Sequence, residues 1–251
     1  SLQQQRPTAA KGNIIRRDLW KCWPHGNPEP TAEQMANPHA VKPPDVLAVF
    51  LTYDTAFEDK EDNDDSAMCA WGYFEKTINV SHRKDEQVKH RHIILLGAWK
   101  DKVDAIDLVE VVKSHVKHFE PEVLCVEKRA SGVPLVQELR RLRPRHKRGH
   151  VIVEAWLPKG VPGTKGKRAR AFAAALVMAE GVIWYMPGPK TQEVRKQCAA
   201  FRTGDDGTPD DWTDCCTMAI ARSRDGFQLD LSTDELDEQE DRDKKAQDIK
   251  D

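Results

Sequence analysis

The chain has 251 residues, of which 39 % are hydrophobic, and its formal net charge is −2. This composition is typical of a globular protein with a sizeable core; no apolar run approaches the roughly 20 residues that span a bilayer, so neither a membrane segment nor a signal peptide is predicted. The six cysteines show no Cys-x-x-Cys spacing and several lie in apolar runs. This predicts reduced, mostly buried thiols of an intracellular protein and argues against a zinc site.

Charge is distributed unevenly along the sequence. Residues 230–251 carry ten acidic and four basic residues, so the rest of the chain has a net charge of +4. Basic residues cluster in "RRLRPRHKRG" (140–149) and "KGKRARA" (165–171). Such clusters suit a phosphate backbone, although a charge run is also common on a solvated helix face. The composition of residues 230–251 predicts a disordered, acidic tail.

In chain order, the first predicted segment is an irregular arm over residues 1–44, which contains seven prolines. Three strands follow, in "VLAVFLTY" (46–53), "AMCAWGYFEK" (67–76) and "RHIILLGAWK" (91–100). Their polar connections indicate an antiparallel meander. The apolar spacing in "VDAIDLVEVVKSHVKHF" (103–119) then changes to that of a helix, with Asp104 as its N-terminal cap.

Strands and helices alternate through the rest of the chain. The predicted order is a strand ending at Glu127, a helix near 132–142, a strand at 150–158, a helix at 167–180, a strand at 182–187 and a last helix from about Asp211. A meander followed by alternating units predicts an α/β fold, with one mixed central sheet flanked by helices, over residues 45–229.

Acidic residues follow two of the predicted strands and open the last helix. Asp54 follows the first strand, and Glu127 ends the strand after the first helix. If these strands are parallel neighbours, both carboxylates emerge at one edge of the sheet. The stretch "DDWTD" adds Asp210, Asp211 and Asp214, one of which could cap the helix. Crowded carboxylates need a cation, and oxygen ligands suit Mg²⁺ or Mn²⁺.

Four stretches follow one another along the chain: "YDTAF" (53–57), "LCVEK" (124–128), "KGKRARA" (165–171) and "DDWTDCCTMAIARS" (210–223). In their order and spacing they resemble the nuclease domain of the large terminase subunit of tailed bacteriophages. "LQQQRP" (2–7) and "IIRRDLWKCW" (14–23) are similar to the segment that joins the terminase motor to its nuclease. The resemblance implies a ribonuclease H-like fold and a metal-dependent endonuclease that cuts double-stranded DNA during genome packaging in the host cytoplasm.

The resemblance also implies particular site residues. It places the catalytic, metal-binding acids at Asp54, Glu127 and Asp211, with Asp210 or Asp214 as a supporting ligand, and two Mg²⁺ or Mn²⁺ ions as cofactors. Two such ions clamp the attacking and leaving oxygens of a phosphoryl transfer. The basic clusters supply the predicted DNA contacts, which are Lys165, Lys167, Arg168, Arg170, Arg143, Arg145, Lys147 and Arg148.

The sequence departs from the family pattern in two respects. It contains no GxxxxGK[ST] motif, so the chain is expected to be the C-terminal portion of a longer protein, or else its ATPase motor lies elsewhere; we favour the first. The ATPase motor, a portal protein and a small terminase subunit are the partners that the resemblance implies. Cys215 stands where the family often has alanine. Alternative functions are another ribonuclease H-like nuclease, such as a resolvase or transposase core, a non-catalytic DNA-binding or assembly module, and a cation-stabilised structural domain.

Overall fold

The computed structural model describes residues 13–56, 65–79, 87–128, 132–147, 149–157, 164–202 and 209–224. The predicted acidic tail and the "LQQQRP" stretch lie outside these ranges. No helix in the described part of the chain has the length and apolar character needed to cross a membrane.

A seven-stranded mixed sheet forms the centre of the fold. Its strands are β1 (Lys21–Cys22), β2 (Ala48–Asp54), β3 (Ser66–Asn79), β4 (Gln87–Asp101), β5 (Val123–Glu127), β8 (Ile152–Trp156) and β9 (Ile183–Tyr185). They lie in the order β1-β9-β4-β3-β2-β5-β8. β2, β3 and β4 are antiparallel, whereas β5, β8, β9 and β1 join their neighbours in parallel. The predicted mixed sheet, a meander followed by parallel strands, is therefore confirmed.

Helices cover both faces of this sheet. They are α1 (Ala32–Ala36), α2 (Ala105–Phe119), α3 (Gly132–Leu142), α4 (Thr164–Ala179), α5 (Pro189–Ala200) and α6 (Asp211–Arg224), and a separate ribbon is formed by β6 (Arg145–His146) and β7 (Gly149–His150). Successive residues of a strand face opposite sides. Phe50 accordingly packs in the core shared with α4, α5 and α6, while Leu51 packs in the core shared with α2 and α3.

The local signals that predicted α2 correspond to observed contacts. The Asp104 side chain accepts hydrogen bonds from the backbone N–H groups of Ile106 and Asp107, both at 2.8 Å. Leu108, in the first turn, is buried against the sheet. The six cysteines are all free and buried, as the sequence predicts.

Part of the N-terminal segment belongs to the core, although residues 1–44 were predicted to be an irregular arm. Ile15 and Trp20 are buried among core residues, and β1 extends the sheet by pairing with β9. The fully buried Arg195 of α5 donates hydrogen bonds to Glu29 and to the carbonyl oxygen of Pro28. The described part of the arm is thus fixed to the sheet by a few apolar anchors and one buried guanidinium.

Candidate metal centre

Two strand ends bring the first pair of acids together. Asp54 is the last residue of β2, and Glu127 is the last residue of β5. The two strands are parallel neighbours, and their register pairs Tyr53 with Val126, one residue before each acid. Both carboxylates therefore lie at the carboxyl edge of the sheet, as the sequence predicts for parallel neighbours.

Asp214, in the first turn of α6, completes a group of three acids. Ligand oxygens of Asp54, Glu127 and Asp214 all lie within 4.8 Å of one another, and we call these three residues the acidic cluster. The side chains are largely buried, since the three residues are 9 %, 1 % and 5 % exposed. Carboxylates so close together and so poorly solvated can remain ionised only beside cations.

Asp211 was predicted to be the third acid of this cluster, but its carboxylate has another partner. Its Oδ2 accepts a hydrogen bond of 2.7 Å from Nζ of Lys100, near the end of β4, and the same ammonium lies 2.9 Å from Asp65. Residues three apart on an α-helix point about 60° apart around its axis. Asp214 therefore faces the ends of β2 and β5, while Asp211 faces the end of β4. The structure thus groups Asp214, and not Asp211, with Asp54 and Glu127.

Lys100 is charged because its partners outweigh its burial. Burial favours the neutral amine, but hydrogen bonds to Asp211 and Asp65 act in the opposite direction and raise the pKa of Lys100 above its ordinary value. Lys100 also lies over the ring of Trp212, with Nζ 5.6 Å from the centroid. This ammonium fixes the start of α6 to the central sheet, and no signal in the local sequence marked it or Asp65 as part of the site.

Asp210 belongs to the start of α6 and also lies outside the acidic cluster. Its carbonyl oxygen accepts the backbone N–H of Asp214 at 2.9 Å, as an N-terminal helix residue does. Its carboxylate accepts a hydrogen bond of 2.7 Å from Nζ of Lys167. Burial raises the pKa of Asp210, and Lys167 opposes this shift.

The first turns of α4 place two cations against the acidic cluster. Nζ of Lys167 lies 2.7 Å from Asp214 Oδ2, and Nη2 of Arg170 lies 3.0 Å from Asp214 Oδ1 and 4.0 Å from Glu127 Oε1. Burial acts to lower the pKa of Lys167, but Asp214 and Asp210 raise it to a net value above the ordinary one. Both predicted DNA contacts therefore face acids in this structure.

The other predicted DNA contacts are dispersed. Arg168 is exposed, and its guanidinium lies 5.5 Å from the ring centroid of Phe172. Arg143, Arg145 and Lys147 are exposed in and beside the β6–β7 ribbon. The chain leaves this ribbon into β8, whose Ile152 pairs with Val123, the first residue of β5. The structure thus places this basic segment at the opposite end of β5 from Glu127. The Lys165 side chain and residue Arg148 lie outside the described part of the chain.

The donor set of the acidic cluster fits a hard divalent cation. All three residues offer carboxylate oxygens, which Mg²⁺ and Mn²⁺ prefer, whereas zinc sites use mainly histidine and cysteine. Cys215, next to Asp214 in sequence, points into the core, where its Sγ lies 3.5 Å from the carbonyl oxygen of Ala67. Burial raises the pKa of Cys215 to about 11, which disfavours a thiolate ligand.

The strand order of the mixed sheet and the helices on both of its faces are those of a ribonuclease H-like α/β fold. This fold is shared with a phage large terminase nuclease. The large terminase nuclease from thermophilic phage G20c with bound magnesium matches with a TM-score of 0.51 and 13 % identity, covering 85 % of this chain and 98 % of that one. A mutant nuclease domain of the large terminase subunit of bacterial virus Sf6, with manganese and beta-thujaplicinol, matches with a TM-score of 0.48 and 10 % identity, over 83 % and 98 %.

Comparisons of the sequence itself with protein-family models and with curated proteins give no match. The likeness is therefore one of fold, at an identity too low to transfer the role of any residue.

Proposed function

We propose that this chain is a metal-dependent endonuclease that hydrolyses phosphodiester bonds of double-stranded DNA. The observation that carries the proposal is the acidic cluster, in which three buried carboxylates from three separate elements converge within 4.8 Å. Burying three acids together is costly unless cations compensate them, and metal-binding phosphodiesterase sites require such an arrangement. The fold shared with the magnesium-containing G20c nuclease supports the same activity.

Asp54, Glu127 and Asp214 are the residues that would hold Mg²⁺ or Mn²⁺, and two ions are our proposal. Such ions lower the pKa of a bound water and stabilise charge on phosphoryl oxygens. The rigid strands β2 and β5 fix Asp54 and Glu127, while the Asp211–Lys100 contact fixes the helix that carries Asp214. Asp211 thereby acts as a positioning residue in this proposal.

Lys167 and Arg170 have a complementary role. They lie within 3.0 Å of the two oxygens of Asp214, so they neutralise and orient this carboxylate. Because both are on α4, they also link the position of α4 to that of α6. We propose that they preserve the arrangement of the acidic cluster, and that their charge attracts a phosphate group to the same edge of the sheet.

The wider setting is proposed from the likeness to terminase nucleases. It comprises cleavage of concatemeric DNA during packaging in the host cytoplasm, beside an ATPase motor, a portal protein and a small terminase subunit. A nuclease with this role needs a basic surface for duplex DNA in addition to its metal site.

Digestion of supercoiled plasmid in the presence and absence of Mn²⁺ tests the activity. The parent chain is expected to nick and linearise the plasmid only with the metal, and Asp54→Asn should leave it supercoiled while its circular dichroism matches the parent. Asp101→Asn is the matched control, because Asp101 also ends a strand, β4, and is exposed outside the acidic cluster.

Nicking by Asp54→Asn at the parent rate would contradict the proposal. DNA binding by the parent without any cleavage in Mn²⁺ or Mg²⁺ would instead favour a non-catalytic DNA-binding module.

A further inference from the structure

The two helices that begin at the acidic cluster form a basic side of the molecule. α4 contains four basic and no acidic residues, and α6 has no acidic residue after Asp214 and ends with Arg222 and Arg224. On the other face of the sheet, α2 contains two acidic residues and two lysines. Of these three helices, α4 and α6 therefore carry the excess of basic residues.

The starts of α4 and α6 meet at the acidic cluster, because Lys167 and Arg170 of α4 contact Asp214 of α6. The two helices lie side by side as they lead away from it, since one cavity is lined by Arg170 and Val177 of α4 and by Thr217 and Arg224 of α6. A cavity of about 370 Å³ lies along these helices, with Arg170 and Thr217 in its wall near the cluster and Arg224 at its distant end. At a rise of 1.5 Å per residue, Arg224 is about 15 Å further along the helix axis than Asp214.

A second cavity continues this path. Its volume is about 280 Å³, it shares Val177 and Arg224 with the first cavity, and its wall includes His90 and Arg91 of β4. β3 and β4 extend beyond β2 at this end of the sheet, since the first residue of β2, Ala48, pairs with Tyr73. The two cavities thus form one groove from the acidic cluster to the base of the β3–β4 extension, which we call the α4–α6 groove.

We propose that the α4–α6 groove binds the sugar-phosphate backbone of DNA on one side of the cleavage position, with Arg224 and Arg91 as its phosphate contacts. The proposal rests on the proposed function for the identity of the polyanion. Exposed arginines spaced along a groove match a polymer with regularly spaced negative charges. Since the rise of B-DNA is about 3.4 Å per base pair, Arg224 would lie about four to five base pairs from the cut, and Arg91 further out.

Glu180 also lies in the wall of the second cavity, where it places a negative charge beside the proposed path of the DNA. A carboxylate beside a bound phosphate is repulsive. Glu180→Gln is therefore expected to bind DNA more tightly than the parent.

The salt dependence of binding tests the groove. Affinity for a fluorescent duplex of about 30 base pairs is measured by anisotropy, without divalent ions, over a range of salt concentrations. Each lost phosphate contact lowers the slope of log K against log salt by about 0.9, so Arg91→Ala and Arg224→Ala should each show that reduction. Lys117→Ala, on the exposed side of α2, should keep the parent slope.

Two further measurements separate a lost contact from damage to the fold. Arg91→Lys and Arg224→Lys retain the charge and should restore the slope. A short duplex, reaching only about three base pairs to either side of the cut, ends before Arg224, so the alanine variants should bind it as the parent does.

The proposed groove would be contradicted if both alanine variants kept the parent slope. It would also be contradicted if these variants lost as much affinity for the short duplex as for the long one. Plasmid cleavage by the parent with Mn²⁺ keeps the two proposals distinguishable. If the parent cleaves the plasmid but the alanine variants keep the parent slope, the nuclease activity stands and the proposed groove is wrong. If the variants have reduced slopes but the parent does not cleave, the groove stands as a DNA-binding surface and the nuclease activity is wrong.

Discussion

Asp211 and Asp214 are three residues apart in α6, but their carboxylates contact different cations. Asp214 lies in the acidic cluster, and Asp211 is bonded to Lys100. We expect Asp214→Asn to lose divalent-ion binding and to reduce cleavage more than about 100-fold, the upper end for loss of a group that merely orients a ligand. Asp211→Asn should reduce cleavage by less than about 10-fold, the lower end of that range, because Asp65 still holds Lys100.

Thermal melting with and without Mn²⁺ distinguishes these roles independently of cleavage. At a Mn²⁺ concentration about 100 times the Kd, a folded-state ligand adds about 2.7 kcal/mol, which corresponds to about 5–10 °C in a chain of this size. The parent and Asp211→Asn should show this rise, and Asp214→Asn should not. If instead Asp214→Asn showed the rise with Mn²⁺ and Asp211→Asn did not, Asp211 would be the metal ligand.

A second residue-scale prediction concerns His92. Its Nδ1 accepts a hydrogen bond of 3.1 Å from Nε1 of Trp184, and burial, reinforced by the charges of His90, Lys76 and Lys21, lowers the pKa of His92 to about 4. The unfolded chain binds this proton near pH 6.5, so the neutral imidazole stabilises the fold above that value. Stability is therefore lost as the pH falls from about 6.5 towards 4.

Melting temperatures measured at several pH values check this sign. The parent should melt lower at about pH 5 than at about pH 7.5, and His92→Phe should show a smaller difference. His39→Gln, at an exposed position, should behave as the parent does. An equal pH dependence in His92→Phe and the parent would exclude His92 as a source of acid sensitivity.

That Asp54 and Glu127 lie together could be predicted from the sequence, because the signals for their two strands are local. Asp54 and Glu127 each follow an apolar run that is long enough to form a buried strand, and the pairing of these strands places both acids together. The choice between Asp211 and Asp214 depends on the rotation of α6 and on Lys100, which lies more than 100 positions away in sequence. Such a contact has no local signature, so sequence reasoning alone predicted Asp211, and not Asp214, as the third acid beside Asp54 and Glu127.

At the scale of elements, the described part of the N-terminal arm behaves as a component of the sheet. Trp20 is buried and stacks on Trp71 with ring centroids 6.4 Å apart. We expect Trp20→Ala to lower the free energy of unfolding by about 3–5 kcal/mol, measured by urea denaturation. Trp23→Ala is the control for a partly exposed arm residue and should cost less.

Truncation tests the same boundary. A chain that begins at residue 45 lacks β1 and Trp20, and its Arg195 loses the contacts with Glu29, Pro28 and Arg17 but keeps the one with Gln192. It should melt about 6–20 °C lower than a chain that begins at residue 13, since loss of the buried Trp20 side chain alone costs about 3–5 kcal/mol, at about 2–4 °C per kcal/mol for a chain of this size. If the two chains melted at the same temperature, residues 45–229 would fold independently of the N-terminal arm.

Some helices and strands could be predicted from the local sequence pattern, and others could not. β2, β3 and β4 follow from apolar runs, and α2 follows from its period and its Asp104 cap. α5 was not predicted, because its sequence "PKTQEVRKQCAA" shows no apolar stripe and its buried face includes Arg195. β1 has only two residues, and its pairing with β9 spans more than 160 positions. Local periodicity cannot reveal an element that is stabilised by distant partners.

At the scale of the whole molecule, the small net charge is the sum of a positively charged part, residues 1–229, and a negatively charged part, residues 230–251. The chain carries −2 in total, but removal of residues 230–251, with their ten acidic and four basic residues, leaves +4. Charge of this kind acts mainly on the rate of encounter with a polyanion, and salt screens it. A chain that ends at residue 229 should therefore associate faster with duplex DNA than the full chain does at low salt. The advantage should disappear at about 1 M salt, where the Debye length is about 3 Å.

Stopped-flow association with a labelled duplex measures this effect. A chain of full length, with the ten acids of residues 230–251 replaced by Gln and Asn, separates charge from length. If long-range charge is the cause, this variant and the truncated chain should show the same increase in rate. An increase confined to the truncated chain, or one that persists at high salt, would indicate that residues 230–251 obstruct DNA by their bulk rather than repel it.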